Sequence, residues 1–234
     1  MSFYTSKKIL DKNKCDFIFL DSSTSTMEDI KIYLENKNKN LILIADNQSK
    51  GRGRRGNTWI SPKGNLYCSI ALKNTIPLNE YFFFSILTSV SIKMALEKLG
   101  ASEIKFKWPN DIFFKNEKLG GIIIESYNTK KNTNFVIIGL GINYSCSPEN
   151  LTYKTTYIKK FLKIKDISIF FDSFLNIFFY YWANYKNTKS YIFDIFSNSL
   201  LFLNQHIRIN TKNKNINGIF KGINNDGSLI LYKN

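Results

Sequence analysis

Gly51-Arg52-Gly53-Arg54-Arg55-Gly56 is the stretch on which the fold reading turns. Its glycines match G-x-G-x-x-G, the pattern that opens a helix beneath a pyrophosphate in dinucleotide-binding folds. That reading requires a helix to begin at the last glycines. Here Asn57-Thr58-Trp59-Ile60-Ser61-Pro62 follows and runs into a turn. Three arginines at the variable positions would also crowd a close helix–strand contact. A Walker phosphate loop fails as well, because Gly56 precedes Asn57 and Thr58 where a lysine and a hydroxyl residue are needed. What remains is a glycine-permissive loop carrying three guanidinium groups. Its backbone can approach a ligand closely, and each arginine can make charge-assisted bonds to phosphate or carboxylate worth about 1.5–3 kcal/mol. A solvent-exposed basic loop, or one that meets nucleic acid, is the competing reading.

Outward from the loop, short apolar runs alternate with helical periodicity. Residues 17–20 and 41–45 read as strands. Residues 26–35 read as a helix, with Met27, Ile30, Tyr33 and Leu34 at helical spacing behind a Ser/Thr cluster suited to an N-cap. Residues 66–72 read as a strand after the turn residues Pro62, Lys63 and Gly64. The longest helical pattern runs over 77–99 and is closed by Gly100. Strands follow at 104–107, 111–114, 119–127 and 135–142, with 115–118 as a tight polar turn between two of them. Residues 167–203 return to helix. The pattern predicts an α+β fold, a mixed sheet with helices covering one face. Character changes at Asn204, where 206–210, 216–223 and 229–232 read as short strands and Asn224-Asn225-Asp226-Gly227 as a hairpin turn. So little strand cannot bury a core alone and should dock on the main unit, dividing the chain into 1–203 and 204–234.

Composition bounds the class. The 234 residues are 44% hydrophobic, with 20 Phe and 13 Tyr, enough for one sizeable core. Formal net charge is +15 and the pI is near 9.6. The lysines are scattered, which reads first as a solvated surface, second as a match to an acidic protein partner and last as specific nucleic-acid binding. Cys15, Cys68 and Cys146 are too far apart for a metal knuckle and read as reduced thiols of a cytoplasmic protein. A lone histidine, His206, argues against a catalytic triad or a His-based metal site. The amino terminus has no apolar run of the signal-peptide kind. Neither 82–87 nor 170–182 reaches the ~20 apolar residues of a membrane span.

Four segments occur in order: residues 48–59 around the Gly–Arg loop, Lys107-Trp108-Pro109-Asn110-Asp111, Lys118-Leu119-Gly120-Gly121 and Gly139-Leu140-Gly141-Ile142-Asn143. Each is weak alone; together, in this order and at these spacings, they resemble the biotin protein ligase family. The resemblance runs from about residue 17 to 144 and more weakly to the end, where the tail resembles the family's small SH3-like β-barrel. It implies a class II synthetase-like (biotin–lipoate ligase) catalytic unit with biotin and ATP as substrates and Mg2+ as cofactor. The implied chemistry is formation of biotinyl-5′-AMP and transfer of biotin to a lysine of the biotin carboxyl carrier protein of acetyl-CoA carboxylase. Only a short stretch precedes residue 17, so the expectation is a short form without the N-terminal winged-helix repressor domain, with no DNA and no membrane partner, monomeric or homodimeric.

The same resemblance assigns Arg52, Gly53 and Arg54 to a loop closing over biotin and the adenylate. It has Lys118 reach the biotin carboxylate and the α-phosphate, so Arg52, Arg54 and Lys118 are the catalytic candidates. On its residues alone Lys118 also reads as an ordinary lysine at a hairpin turn. Ser25, Thr26, Met27 and Gln48 are implied at biotin, with Met27 standing where the family has asparagine. Ser23-Thr24-Ser25 is an alternative register, and a plain helix N-cap can hold at the same time. Asn110, Asp111 and Asn143 are implied at ATP, with Asp111 an oxygen donor for Mg2+. Trp59 either stacks on adenine or anchors the loop base in the core. The competing functions are a lipoate-type ligase of the same fold and a nucleic-acid-binding protein, the latter suggested by charge alone. Repulsion between arginines and permissive glycines predict that 51–56 is mobile until a ligand orders it.

Overall fold

The computed structural model describes residues 7–35, 37–73, 76–77, 80–149, 151–210 and 215–233. The described residues form a seven-stranded sheet in the order β1-β2-β3-β7-β6-β5-β4. The strands are β1 (Cys15–Leu20), β2 (Asn40–Ala45), β3 (Leu66–Lys73), β4 (Ile104–Lys107), β5 (Asp111–Phe114), β6 (Glu117–Asn128) and β7 (Asn134–Ile142). Only β1 and β2 run parallel, joined by the crossover helix α2 (Thr26–Leu34); the other neighbours pair antiparallel. A short helix α1 (Lys7–Lys12) precedes β1 where the sequence gave no such expectation; it buries Ile9 but is too short to show a period.

β2, β3 and β7 are buried along most of their length because both faces of the central sheet are covered. Alternation along the strands sorts their side chains into two layers. Ile42, Ile44, Cys68, Ile70, Val136 and Ile138 face the large core built with α3 (Phe82–Lys98), α4 (Ile167–Ala183) and α5 (Tyr185–Asn198). Leu41, Leu43, Ala71, Phe135 and Ile137 face Met27, Ile30 and Leu34 of α2. Helices therefore lie on both faces, a correction to the one-sided covering expected. That second covering is short, because α2 has nine residues and ends before it spans the face.

The helix expected from 77 begins at Phe82 in the described residues; 78 and 79 lie outside them. The single helix expected over 167–203 is two. Asn184 leaves helical geometry at φ −111° and ψ 19°, and its side-chain Nδ2 donates to Tyr180 O at 2.8 Å, competing with the backbone ladder at the break. The second helix stops at Asn198, and Phe202 and Asn204 adopt positive φ on the way to the tail.

In the tail, β8 (His206–Asn210), β9 (Asn215–Ile223) and β10 (Leu229–Tyr232) form an antiparallel sheet with β9 in the middle. The connector that leads into it is fastened to the main sheet, and so is its hairpin turn. Phe106 of β4 exchanges backbone bonds with Ser199 and Leu201 at 2.9 and 2.8 Å. Trp108 Nε1 donates to Gly227 O at 2.8 Å, two residues before Asn110. Gly227 has φ +84°, and a Cβ there would lie 2.2 Å from the Phe82 ring. Both the backbone and the space demand glycine. Gly227→Ala is expected to cost about 1–3 kcal/mol through strain and overpacking. Hydrogen exchange is the check: amides of 215–232 should exchange faster while those of β2 and β3 keep their protection.

Candidate active site

The site begins where the α2 face of the sheet runs out of side chains. On β7 the residues on that face are Phe135, Ile137, Gly139 and Gly141; on β6 they are Tyr127, Glu125, Ile123 and Gly121, paired with them in register. Large residues sit under α2, and glycines lie beyond its end. A Cβ on Gly139 would meet Met27 Sδ at 2.6 Å and Ile123 Cγ1 at 2.7 Å, and one on Gly141 would meet the Trp59 indole at 2.6 Å. Gly121 also lies against the Trp59 ring and near Asp111 Oδ1. Trp59 thus covers two glycines and anchors the base of the Gly–Arg loop on the sheet. Between Trp59 and Met27 a cavity of about 460 Å³ remains.

Eleven of the twelve residues singled out from the sequence line this cavity: Ser25, Thr26, Met27, Gln48, Arg52, Gly53, Arg54, Trp59, Asn110, Asp111 and Lys118. Asn143 does not. It is 2% exposed behind Lys118 and opens onto a smaller adjoining pocket shared with Trp59 and Tyr153. Its Nδ2 donates to Thr156 O at 3.0 Å, while its Oδ1 is buried without a partner.

Lys118 is the second residue of β6 and not part of the turn, which closes at 115–116. Its Nζ lies 2.9 Å from Asp111 Oδ1 and 5.3 Å from the ring centres of both Trp59 and Tyr153. Its backbone is gripped from the far side: Lys118 N donates to Lys154 O and Thr156 N to Lys118 O, each at 2.9 Å. The ammonium is held on a paired strand between two rings and a carboxylate. Tyr153, not singled out from the sequence, comes from an irregular segment without periodicity.

Arg54 points into the cavity, with Nη1 donating to Asn110 Oδ1 at 3.3 Å. Burial lowers its affinity for a proton below the usual arginine range, the neighbouring Arg55 adds to this, and Asp111 opposes it. A cation held under such conditions favours an anionic partner. Arg52 is engaged differently, by Glu28 and by Glu125 Oε1 at 2.7 Å. The loop itself is a small hairpin in which Gly53 N donates to Asn57 O at 2.7 Å and Trp59 N to Gly51 O at 2.9 Å. Arg52 and Arg54 thus have partners within the protein.

At the opposite end, Ser69 Oγ donates to Thr26 Oγ1 at 2.9 Å, Gln48 Oε1 accepts from Thr26 N at 2.8 Å, and Gln48 Nε2 donates to Ser61 Oγ at 3.0 Å. This chain fixes Thr26 and Gln48. Ser25 holds the N-cap position of α2, but its side chain makes no capping bond; its Oγ is buried without a partner, as is Trp59 Nε1. Buried orphan groups cost about 1–3 kcal/mol each, and these two belong to residues that line the cavity. Met27, at 3% exposure, contributes apolar wall. Asp111 is the one carboxylate among the lining residues, and the described residues contain no cluster of three or more potential metal ligands. Burial pushes the Cys15 thiol up to about 12 and raises Cys68 as well, so neither is a poised nucleophile.

Residues 17–143 match the Biotin/lipoate A/B protein ligase family. The chain belongs to that family. Residues 202–234 match the Biotin protein ligase C terminal domain. Among curated relatives, the Bifunctional ligase/repressor BirA of Bacillus subtilis (strain 168) is 34% identical over 110 residues, 47% of this chain and 34% of that protein. The Biotin--[acetyl-CoA-carboxylase] ligase of Paracoccus denitrificans is 30% identical over 112 residues, 46% of this chain and 45% of that protein. The matches thus span about a third to a half of those relatives' lengths. Among solved structures, the biotin protein ligase from Aquifex aeolicus in complex with biotin and ATP superposes with a TM-score of 0.77 at 26% identity, covering 92% of this chain and 91% of that one. Among the described residues no helix is long and apolar enough to cross a membrane.

Gly141→Ala is expected to push Trp59 off the sheet at a cost of about 1–3 kcal/mol. A red-shifted indole emission and a lowered unfolding midpoint would show it.

Proposed function

We propose that this chain activates biotin with ATP and transfers it to a lysine of a biotin carboxyl carrier domain. One observation carries the reading. A single cavity has an apolar end at Met27, Ile123 and Gly139, polar groups from Ser25, Thr26 and Gln48, and three cations, Arg52, Arg54 and Lys118, with one lining carboxylate, Asp111, beside Lys118. Biotin has an apolar bicycle and chain, a ureido ring with donors and an acceptor, and a carboxylate. Lipoate lacks the ureido ring and would offer no matching donors and acceptor to the polar groups of Ser25, Thr26 and Gln48.

In the first step a biotin carboxylate oxygen bonds to the α-phosphorus of ATP and pyrophosphate leaves. In the second, the carrier lysine amine attacks the acyl carbon, AMP departs, and the amine gives up a proton. The first step presses an anion against a polyanion, so its barrier is largely electrostatic. Lys118 and Arg54 stand where that charge would gather, Lys118 with its position fixed by Asp111 and the strap at 154–156. Asn143 Oδ1, unpaired in the adjoining pocket, would accept from an exocyclic amine such as that of adenine. Asp111 suits Mg2+ as a sole protein carboxylate, since that ion is commonly held by one or two carboxylates together with substrate phosphates. When bound, the ion would neutralise phosphate charge. Reduced cysteines and the absence of a membrane-crossing helix among the described residues favour the cytoplasm, and residues 204–234 are read as a separate small domain docked on 1–203.

The decisive experiment supplies ATP with either biotin or lipoate and measures pyrophosphate. Release with biotin alone is expected; release with lipoate alone would reassign the substrate. Lys118→Ala should reduce release about 10²–10³-fold with the fold intact, the scale of losing one preorganised donor. A folded mutant within a few-fold of wild type would leave Lys118 as a strand lysine only.

A further inference from the structure

We propose that Glu28 and Glu125 are positioning residues that hold the Gly–Arg loop closed through Arg52, a role that rests on the ligase reading above for its catalytic meaning. Four charges from three elements form a closed ring. Arg52 contacts Glu28 through Nη1 and lies 2.7 Å from Glu125 Oε1 through Nη2. Lys31 Nζ completes it, 3.2 Å from Glu28 Oε1 and 3.1 Å from Glu125 Oε2. Glu28 and Lys31 are one turn apart on α2, Glu125 is on β6, and Arg52 is in the loop.

Register fixes where the ring stands. Glu125 shares its sheet face with Ile123 and Gly121, two and four residues away, so it sits at the rim of the cavity beyond its apolar end. Arg52 is also bridged through its backbone to Thr58, which ties the two arms of the loop together. Pulling on Arg52 therefore pulls the whole loop toward α2 and β6. With Arg52 engaged by two carboxylates, the lining cations left to face an anion are Arg54 and Lys118. Arg52 works as a clasp.

The clasp is shallow by construction. The Arg52, Glu28 and Glu125 side chains are 41%, 47% and 27% exposed, and partly exposed pairs are individually weak and screened by salt. Such a fastening opens often enough to admit a ligand, and its strength should follow ionic strength. A direct role for Arg52 on a ligand would make its removal independent of Glu125. A role through the ring makes the two removals redundant.

Limited trypsin digestion of the free, full-length protein reads the loop at Lys50, Arg54 and Arg55. Wild-type cleavage should accelerate between about 50 mM and about 500 mM NaCl, over which the screening length falls roughly threefold. Glu125→Gln should cleave about fivefold faster at low salt, respond little to added salt, and be matched in direction by Glu28→Gln. Arg52→Gln with Glu125→Gln should exceed neither single change. Glu103→Gln, which breaks an exposed pair with Lys115 at 3.5 Å elsewhere, should change nothing. The second readout is release of preformed biotinyl adenylate, expected to quicken by a similar factor in Glu125→Gln. Unchanged cleavage and salt response in Glu125→Gln, or a double variant equal to the product of the singles, overturns the clasp. Altered cleavage with unchanged adenylate release overturns the positioning role. If wild type makes no adenylate from biotin and ATP, the ligase reading fails, while the digestion still decides the ring.

Discussion

On the face of the sheet that α2 covers, side-chain volume gives out partway along β6 and β7. Gly121, Gly139 and Gly141 carry no side chain, and Met27 and Trp59 close onto the backbone there. The cavity follows from that deficit. A sheet packed to native density on this face would admit no ligand. A longer α2 would close the same space, so the helix length and the glycines are one constraint met from two directions. The loop, the strand end carrying Lys118 and the Asn110–Asp111 corner are arranged around the hole.

The charges at the hole are ordered by what already holds them. Lys118 answers Asp111, and Arg52 answers Glu28 and Glu125, while Arg54 donates to a neutral amide and its charge is disfavoured by burial. The electrostatic demand for an anion therefore concentrates on Arg54, with Lys118 beside it. Fixed cations of this sort need no reorganisation as charge develops, which is the source of their catalytic worth. The tail enters indirectly, since Trp108 links the hairpin at Gly227 to the corner that carries Asn110 and Asp111.

Long periodic elements were legible in the sequence, and short or interrupted ones were not. β2, β3 and β7 announced themselves as apolar runs, and α3 as a long apolar segment closed by Gly100. α1 is too short to carry a period, and the break at Asn184 depends on one side chain choosing the backbone over the ladder. The strands of the tail showed through their turn residues, and its docking did not, because the indole N–H bond of Trp108 and the packing of Phe220 and Ile223 into the main core depend on partners far away in the chain.

At the site, the sequence by itself determined which residue types would gather: glycines that permit close approach, arginines and a lysine for anions, and a carboxylate and amides for the rest. Those choices are local chemistry, and order along the chain sufficed to connect them to a family. Tertiary structure alone decided how each is used. It turned Ser25 from an expected cap into an unpaired hydroxyl, put Asn143 behind Lys118 instead of in the main cavity, brought Tyr153 to the ammonium, and gave Arg52 to Glu28 and Glu125. Each outcome depends on a partner 24 to 73 residues away, or on the lack of one, and distance along the chain carries no information about which polar groups will be adjacent once the backbone is folded.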